Sequence, residues 1–542
     1  MLLPALPRTR EGAAVQFEVL VLVAVAAALA GLARRLKLSA PLLLVVAGIA
    51  ASFVPGVGEF ELEPDVILFF VLPPLLFGAA WQSSVINFRQ NIRPIGLLSV
   101  GLVLFTTLTV GFAVHAVLPD LPLAAAFTLG AIVSPPDAVA ATAVGRSVGM
   151  PRRLITILAG ESLVNDATAL TAYRVTVGAA MAGGFSIWTG ISEFIVAAVG
   201  GVAVGLVIAA LTETVLQHLH DPVLENSLVL LLPFVTYAVA EELGQDAYHG
   251  SGVLAVVAAG LFLGHRSPRR MSAATRLQGV EVWRVIEFLL ESVVFALIGL
   301  QLPTVLDQLP EGSAGSVLVA SVVALAVTIL SRFAWMYPAT YLRPLQRKEA
   351  KGPPMPWTYP TVLAWAGMRG VVSLAAAFAL PANFPQRSLI LFLTFVVVVG
   401  TLLIQGLTLP ALIRWLGVTG TEEQQDLIRE AGAQHAAANA ALARLDQELA
   451  GNSFVPEDVV SRLREKAEIR QLGAWERLGG RGTPDGVAIE PPSVSFRRLR
   501  RSMIDAERDV FIDLRDRGQI DDQVLARVQR ELDLEESILM RE

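Results

Sequence analysis

The segment from Gly160 to Leu170, GESLVNDATAL, carries two carboxylates and a carboxamide inside an apolar run long enough to cross a membrane. Ionised groups persist in hydrocarbon only where they are paired or line an ion path. On a helix, Ser162 and Asp166 share one face, whereas Glu161 and Asn165 share another, rotated by about 100°. We expect the first face to bind an ion and the second to engage structural partners. A polar network that only joins helices is the alternative.

A second polar interruption, Ser134-Pro135-Pro136-Asp137, lies within another apolar run. Two prolines remove two backbone donors and break a helix, and a broken helix inside the membrane requires a cavity or packed protein beside it. The freed carbonyls can coordinate a cation, and Asp137 adds negative charge. A simple kink is the alternative.

A third apolar segment, Trp365 to Ser373, places Arg369 between two glycines. An unpaired arginine near the middle of the membrane is costly, so an acidic partner is expected. Glu161 is the first candidate for this salt bridge, and Glu291 is the second.

Other ionisable side chains fall within the predicted spans. Glu287 and Glu291 share a helix face at four-residue spacing, and Glu291 is the deeper of the two. Arg332 lies toward one end of its span, from which its long side chain could reach the membrane interface.

The composition predicts an all-α polytopic membrane protein. The 542 residues are 54% hydrophobic and 17% charged, more apolar than soluble domains. The absence of cysteine excludes disulfides, zinc-thiolate sites and cysteine nucleophiles. A formal net charge of -6 gives no reason to expect nucleic-acid binding. No enzyme motif and no cofactor-binding motif is visible.

About 20 apolar residues form one span, and on that basis we predict thirteen transmembrane helices. The interrupted fifth and twelfth spans are each fifth in a block of six, which predicts an inverted repeat with two crossing broken helices. The spans begin near Phe17, Ala40, Val66, Pro94, Pro122, Leu154, Ile187, Ser227, Ser251, Val282, Val317, Trp357 and Ser388.

The predicted loops differ in charge. Loops after odd-numbered spans hold sixteen arginines and lysines, and loops after even-numbered spans hold only Arg387. Positive residues favour the cytoplasmic side. We therefore predict a multi-pass protein of the plasma (inner) membrane with its N-terminus outside and its C-terminus in the cytoplasm.

Three regions follow from these patterns: an outer tail at 1–16, a membrane domain at 17–416, and a cytoplasmic helical domain at 417–542. The tail is predicted to form helices from Glu422 to Leu449, Pro456 to Leu478, Phe496 to Arg517 and Asp521 to Met540. A regulatory or dimer-stabilising role and a solvated appendage both remain open.

Together, the Gly160–Leu170, Asp137 and Gly367–Gly370 segments resemble the monovalent cation:proton antiporter-1 family, the sodium/proton exchangers of bacteria, plants and animals. The resemblance spans roughly Phe17 to Leu416. It implies a homodimer in the lipid membrane, in which a mobile core domain moves against a dimerisation domain.

The resemblance also implies roles for single residues. Asp166 matches the aspartate that binds either cation or proton, and Ser162 matches a hydroxyl ligand of the transported Na⁺. Asn165 matches an asparagine where electrogenic relatives have aspartate, and Asp137 matches the carboxylate that steadies it. Glu161 and Arg369 match a structural salt bridge.

Two departures concern the cation site. Many members have Thr-Asp-Pro in the fifth span, whereas this chain has Pro136-Asp137-Ala138, so that only the Pro136 carbonyl remains as a ligand. Some sodium-binding members carry a ligating glutamate where this chain has Gly78. The second departure leaves the choice between Na⁺ and K⁺ open.

These residues predict a secondary active antiporter that exchanges Na⁺, with Li⁺ as a further candidate, for H⁺ at Asp166, serving pH and sodium homeostasis. Because Asn165 is neutral, electroneutral exchange is expected. A K⁺/H⁺ antiporter of the same fold is the nearest alternative. A cation channel gated by the tail and a membrane-embedded enzyme are more distant ones.

Overall fold

Helices form all the regular structure that a computed structural model of the chain describes. The described residues form two compact units, Met1–Thr419 and Gly420–Glu542. Residues 1–9 of the predicted outer tail and Val66, the predicted start of the third span, lie outside the residues that the structure describes. The described ranges are 10–36, 40–54, 67–182, 187–219, 221–242, 250–307, 314–341, 356–418, 420, 422–450, 455–479 and 492–541.

The helices of the first unit are numbered α1 to α17 in chain order. A π-helical turn, Ile67–Val71, precedes α3, and α5 contains a π-helical segment, Leu97–Leu102. The helices are α1 Arg10–Arg35, α2 Ala40–Ser52, α3 Leu72–Gln82, α4 Val85–Gln90, α5 Ile92–Val117, α6 Leu123–Val133, α7 Ala138–Ser147, α8 Arg152–Ala182, α9 Ile187–Leu216, α10 Pro222–Glu242, α11 Gly252–Arg270, α12 Ala273–Leu300, α13 Leu302–Asp307, α14 Ala314–Tyr341, α15 Thr358–Trp365, α16 Val371–Phe378 and α17 Arg387–Trp415.

Five stretches of these helices are long and apolar enough to cross a membrane by length and composition, counting only described residues. They lie in α5, α9, α10, α14 and α17. Four further apolar stretches of 10–17 residues lie in the regions of α1, α2, α3 and α6. The total of thirteen spans stays a prediction.

The longest helix, α8, is the element around which the functional residues collect. It contacts α6, α7, α15 and α16, and it also packs against α3, α5 and α11. The polar segment predicted from the sequence lies within this helix. Its side chains are therefore surrounded by protein on several sides, which lets a polar group find partners.

Two segments are interrupted. Helix α6 ends at Val133 and α7 begins at Ala138, with both prolines between them; α15 ends at Trp365 and α16 begins at Val371. The two interruptions contact each other, because the Asp137 N–H donates to the Met368 carbonyl at 2.7 Å. Four helix ends therefore meet beside α8.

Helix α12 packs closely on α2. A Cβ atom added at Gly48 would overlap the backbone of Ala296, and one at Gly299 would overlap the backbone of Val45. Small residues allow helix backbones to approach one another in this way in membrane proteins. This contact holds the helix that carries Glu287 and Glu291.

The described part of the second unit contains four helices, α18 Glu422–Ala450, α19 Glu457–Gly479, α20 Pro492–Asp516 and α21 Asp522–Arg541. Helix α18 packs on α19, and α20 packs on α21. Their ends agree with the sequence prediction within a residue or two, except that α20 begins four residues before Phe496. The residues between the predicted helices Pro456 to Leu478 and Phe496 to Arg517 lie mainly outside the described ranges.

Candidate functional site

The polar segment of α8 has two differently placed faces. Glu161 and Asn165 are fully buried, and Asp166 is 5% exposed. Ser162 and Asp166 line a cavity of about 350 Å³, whereas Glu161 and Asn165 do not. The helix thus presents a hydroxyl and a carboxylate to the cavity and keeps a carboxylate and an amide within the packed protein.

The cavity brings together groups that are distant in sequence. From the sequence-predicted set, Pro136, Asp137 and Glu291 line it as well as the two α8 residues. The remaining polar lining was not assigned to the site from the sequence, and comes from Gln82, Ser83, Thr142, Arg146, Glu287 and Ser373.

Asn165 connects α8 to the break between α6 and α7. Its Nδ2 donates to the Pro136 carbonyl at 3.0 Å. Its Oδ1 has no hydrogen-bond partner among the described residues. The amide therefore fixes the position of a carbonyl within the break between α6 and α7.

Asp137 lies where the two interruptions touch. A Cβ atom added at Gly370 would overlap the Asp137 carboxylate, so only glycine permits this approach. Asp137 immediately precedes α7, and Gly370 immediately precedes α16. The carboxylate is thus close to the start of two helices, where the partial charge of the backbone is positive.

Arg369 satisfies carbonyls at the other two helix ends. Its Nε donates to the Val133 carbonyl at 2.8 Å, and its Nη1 donates to the Gly367 carbonyl. The Val133 carbonyl ends α6, and the Gly367 carbonyl lies two residues after α15, so both are at helix ends where the partial charge is negative. The predicted salt bridge between Arg369 and Glu161 is wrong: the guanidinium of Arg369 donates to backbone carbonyls, and the carboxylate of Glu161 pairs with a different arginine.

Glu161 is paired instead with Arg332 of α14. The guanidinium donates to both carboxylate oxygens, at 2.5 and 3.1 Å, and Nη2 also donates to the Leu363 carbonyl at 3.0 Å. Both side chains are fully buried. Arg332 therefore does not reach the membrane interface as its sequence position suggested. A single arginine within an apolar span was the signal that could have identified it.

The resulting site has the chemistry of a cation-binding pocket. Hard cations prefer oxygen ligands, and three residues that line the cavity carry such oxygens: Asp166 a carboxylate, Ser162 a hydroxyl and Pro136 a backbone carbonyl. Asp137 and Arg369 lie at helix ends of favourable partial charge, and Glu161 is paired with Arg332. Asp166 has no ion-pair partner within salt-bridge distance among the described residues, and its carboxylate faces the cavity.

Comparison with known proteins agrees with this chemistry. The sequence model of the family described as "Sodium/hydrogen exchanger, transmembrane" matches residues 21–415. A protein of Mycobacterium bovis named as an uncharacterized Na(+)/H(+) exchanger is 33% identical over 541 residues, which cover 97% of this chain and 96% of the relative.

Two further likenesses concern function and fold. A Bacillus subtilis protein named "Sodium, potassium, lithium and rubidium/H(+) antiporter" is 34% identical over 388 residues, covering 69% of this chain and 57% of the relative. The fold is similar to that of the sodium proton antiporter MjNhaP1 from Methanocaldococcus jannaschii, with a TM-score of 0.61 and 19% identity over 75% of this chain and 99% of that one.

The family resemblance predicted from the three motifs is thereby confirmed. The family model covers most of the chain, and the mycobacterial relative matches it along nearly its whole length. The chain belongs to the transmembrane sodium/hydrogen exchanger family.

Proposed function

We propose that this protein exchanges Na⁺ for H⁺ across the plasma membrane by competition of the two ions for the carboxylate of Asp166. The observation that carries the proposal is the position of Asp166 and Ser162 on one cavity, beside the two helix interruptions. Ser162 and the Pro136 carbonyl complete an oxygen ligand set for the cation. Li⁺ fits the same ligand chemistry.

Competition at one carboxylate is sufficient for coupled exchange. A charged, empty carboxylate is costly in a low-dielectric interior. Asp166 therefore crosses the barrier between the two sides only with a proton or a cation bound. Ion gradients drive the cycle, and no cofactor is required.

The stoichiometry we propose is one cation for one proton. Asn165, beside Asp166, is neutral, and its Nδ2 is occupied by the Pro136 carbonyl. Asp137 is held at the start of two helices and is not proposed to carry a transported proton. One exchanging carboxylate then makes the cycle electroneutral.

Alternating access follows from the proposed topology of thirteen spans with an inverted repeat, the N-terminus outside and the C-terminus in the cytoplasm. The cavity is lined by Gln82 and Ser83 at the end of α3 and by Arg146 near the end of α7. Both chain positions follow odd-numbered spans, which the positive-inside rule assigns to the cytoplasm. We therefore propose an inward-open state of a homodimer whose core moves against its dimer scaffold.

Reconstitution into proteoliposomes tests the assignment. Asp166→Asn is expected to abolish sodium-dependent proton flux, and Ser162→Ala is expected to raise the KM for Na⁺. Glu281→Gln, which removes an exposed carboxylate on α12, is the control and leaves the flux unchanged. If Asp166→Asn keeps the proton flux of the parent, Asp166 is not the exchanging carboxylate. A flux that depends strongly on clamped membrane potential would contradict electroneutrality.

K⁺/H⁺ exchange is the second candidate. Two observations favour it: α3 carries Gly78 where a carboxylate could ligate Na⁺, and the Bacillus subtilis relative has potassium in its name. Parallel flux measurements with Na⁺, Li⁺ and K⁺ at equal concentrations distinguish the two. If the proton flux with K⁺ equals or exceeds the flux with Na⁺, K⁺ becomes the assigned cation in place of Na⁺.

A further inference from the structure

Glu287 of α12 lies directly against Gly78 of α3. A Cβ atom built at Gly78 would overlap the Glu287 Oε1, and its next neighbour from another residue would be Trp283 Cε3 at 3.4 Å. One helical turn further along α3, Gln82 Nε2 donates to the same Oε1 at 3.0 Å. The carboxylate of Glu287 thus occupies the surface that the missing side chain of Gly78 leaves open.

Glu287 also faces the transport cavity. It lines the cavity together with Asp166, Ser162 and Glu291, and its side chain is half-buried. No lysine or arginine of the described residues lies within salt-bridge distance of its carboxylate, although Arg146 lines the same cavity. The amide of Gln82 orients the carboxylate without neutralising its charge. This leaves a second carboxylate available to a cation inside the cavity.

We propose that Glu287 is a second cation-binding carboxylate of the transport path, supplied from α12 at the place where α3 carries Gly78. It draws the monovalent cation into the cavity and contributes to the choice between Na⁺ and K⁺, whereas Asp166 remains the group at which cation and proton exchange. This inference rests on the proposed function and identifies the residue that determines affinity and selectivity at that site.

The chain offers a direct way to separate charge from packing. Glu287→Gln keeps an oxygen acceptor for Gln82 and removes only the charge. Glu287→Ala combined with Gly78→Glu moves the carboxylate from α12 to α3, and the alanine leaves room for the new side chain. Glu281→Gln on the same helix, an exposed carboxylate paired with Arg284, is the matched control.

All variants are measured as full-length protein in proteoliposomes with Na⁺, Li⁺ and K⁺. Glu287→Gln is expected to raise the KM for the preferred cation about tenfold, equivalent to about 1.4 kcal/mol. Its kcat is expected to stay within about twofold of the parent, because the exchanging carboxylate is intact. The relocated carboxylate is expected to restore most of the lost affinity and to change the ratio of KM values among the three cations.

The outcomes separate this inference from the proposed function. Suppose that the parent protein exchanges cations and that Asp166→Asn abolishes this exchange. If the three KM values of Glu287→Gln then match those of the parent, only the proposed role of Glu287 is overturned. If the parent protein shows no exchange, both the proposed function and the role of Glu287 are overturned. If Glu287→Gln lowers the amount of folded protein, the variant Glu287→Ala with Gly78→Glu tests the inference instead. A KM near that of the parent supports the inference, and a raised KM overturns it.

Discussion

Arg332 on α14 donates two hydrogen bonds to Glu161 on α8, and neither side chain is exposed. This pair joins the helix that carries Asp166 to a neighbouring apolar helix. Ser99 of α5 also donates to the Glu161 backbone carbonyl, at 3.1 Å. The buried face of α8 is therefore fixed by charge and hydrogen bonding, whereas Ser162 and Asp166 line the cavity.

Removal of either partner of this pair is expected to destabilise the protein strongly. Glu161→Gln and Arg332→Gln each leave an uncompensated buried charge, which costs about 3–5 kcal/mol. Thermal unfolding in detergent measures the loss. Arg284→Gln, which breaks an exposed pair, serves as the control and is expected to change the melting temperature little.

A double-mutant cycle identifies the partner of Glu161. We expect a coupling energy of at least about 1 kcal/mol between Glu161→Gln and Arg332→Gln, because the two side chains are in direct contact. Glu161→Gln and Arg369→Gln are expected to show a clearly smaller one, since Arg369 donates to carbonyls. A larger coupling with Arg369 would contradict the pairing described here.

The sequence predicts the breaks and polar segments better than it predicts their partners. The prolines at 135 and 136 and the polar residues of α8 act locally, so their effects can be read from the chain. The partner of Arg369 could not be predicted from the sequence, because the carbonyls at two helix ends compete with carboxylates for a guanidinium. The contact of Glu287 with Gly78 depends on how α12 packs against α3, which residue spacing within one helix does not specify.

Gly370 is expected to be essential for transport because of its contact with Asp137. In Gly370→Ala the new methyl group meets the Asp137 carboxylate and separates the two interruptions. We expect at least a tenfold loss of exchange, about 1.4 kcal/mol. Gly178→Ala on α8 is the matched control, since a Cβ atom there meets nothing within 4 Å. Parent-level exchange by Gly370→Ala would show that the close approach is dispensable.

Asn165 is expected to act by holding the Pro136 carbonyl. Asn165→Leu leaves this buried acceptor without its donor, which costs about 1–3 kcal/mol. Exchange in proteoliposomes is expected to fall at least tenfold. Thr168→Val on the same helix removes only a hydrogen bond to the local Val164 carbonyl and is expected to keep the rate within about twofold. Equal effects of the two variants would argue against a specific role for Asn165.

The second unit contains an acid-sensitive contact between α20 and α21. Arg500 donates to both oxygens of Glu535 at 2.7 Å, and Arg508 donates to Glu536 at 2.7 Å. These hydrogen bonds hold the pKa of the Glu535 and Glu536 carboxyls below the usual value of 4.5. Carboxyls with a lowered folded-state pKa stabilise the fold above the unfolded-state pKa, and this contribution disappears as the pH falls through the folded-state pKa.

We therefore expect the packing of α20 on α21 to be insensitive to pH between about 7 and 5 and to weaken below about pH 4. Hydrogen exchange of the two helices in the full-length protein, corrected for intrinsic exchange rates, measures the loss of protection. Glu535→Gln with Glu536→Gln is expected to lower protection at neutral pH and to flatten its acid dependence. Glu531→Gln, which removes a carboxylate without a salt bridge among the described residues, should preserve the parent profile. Because the paired side chains are partly exposed, added salt is expected to reduce the difference between parent and double variant.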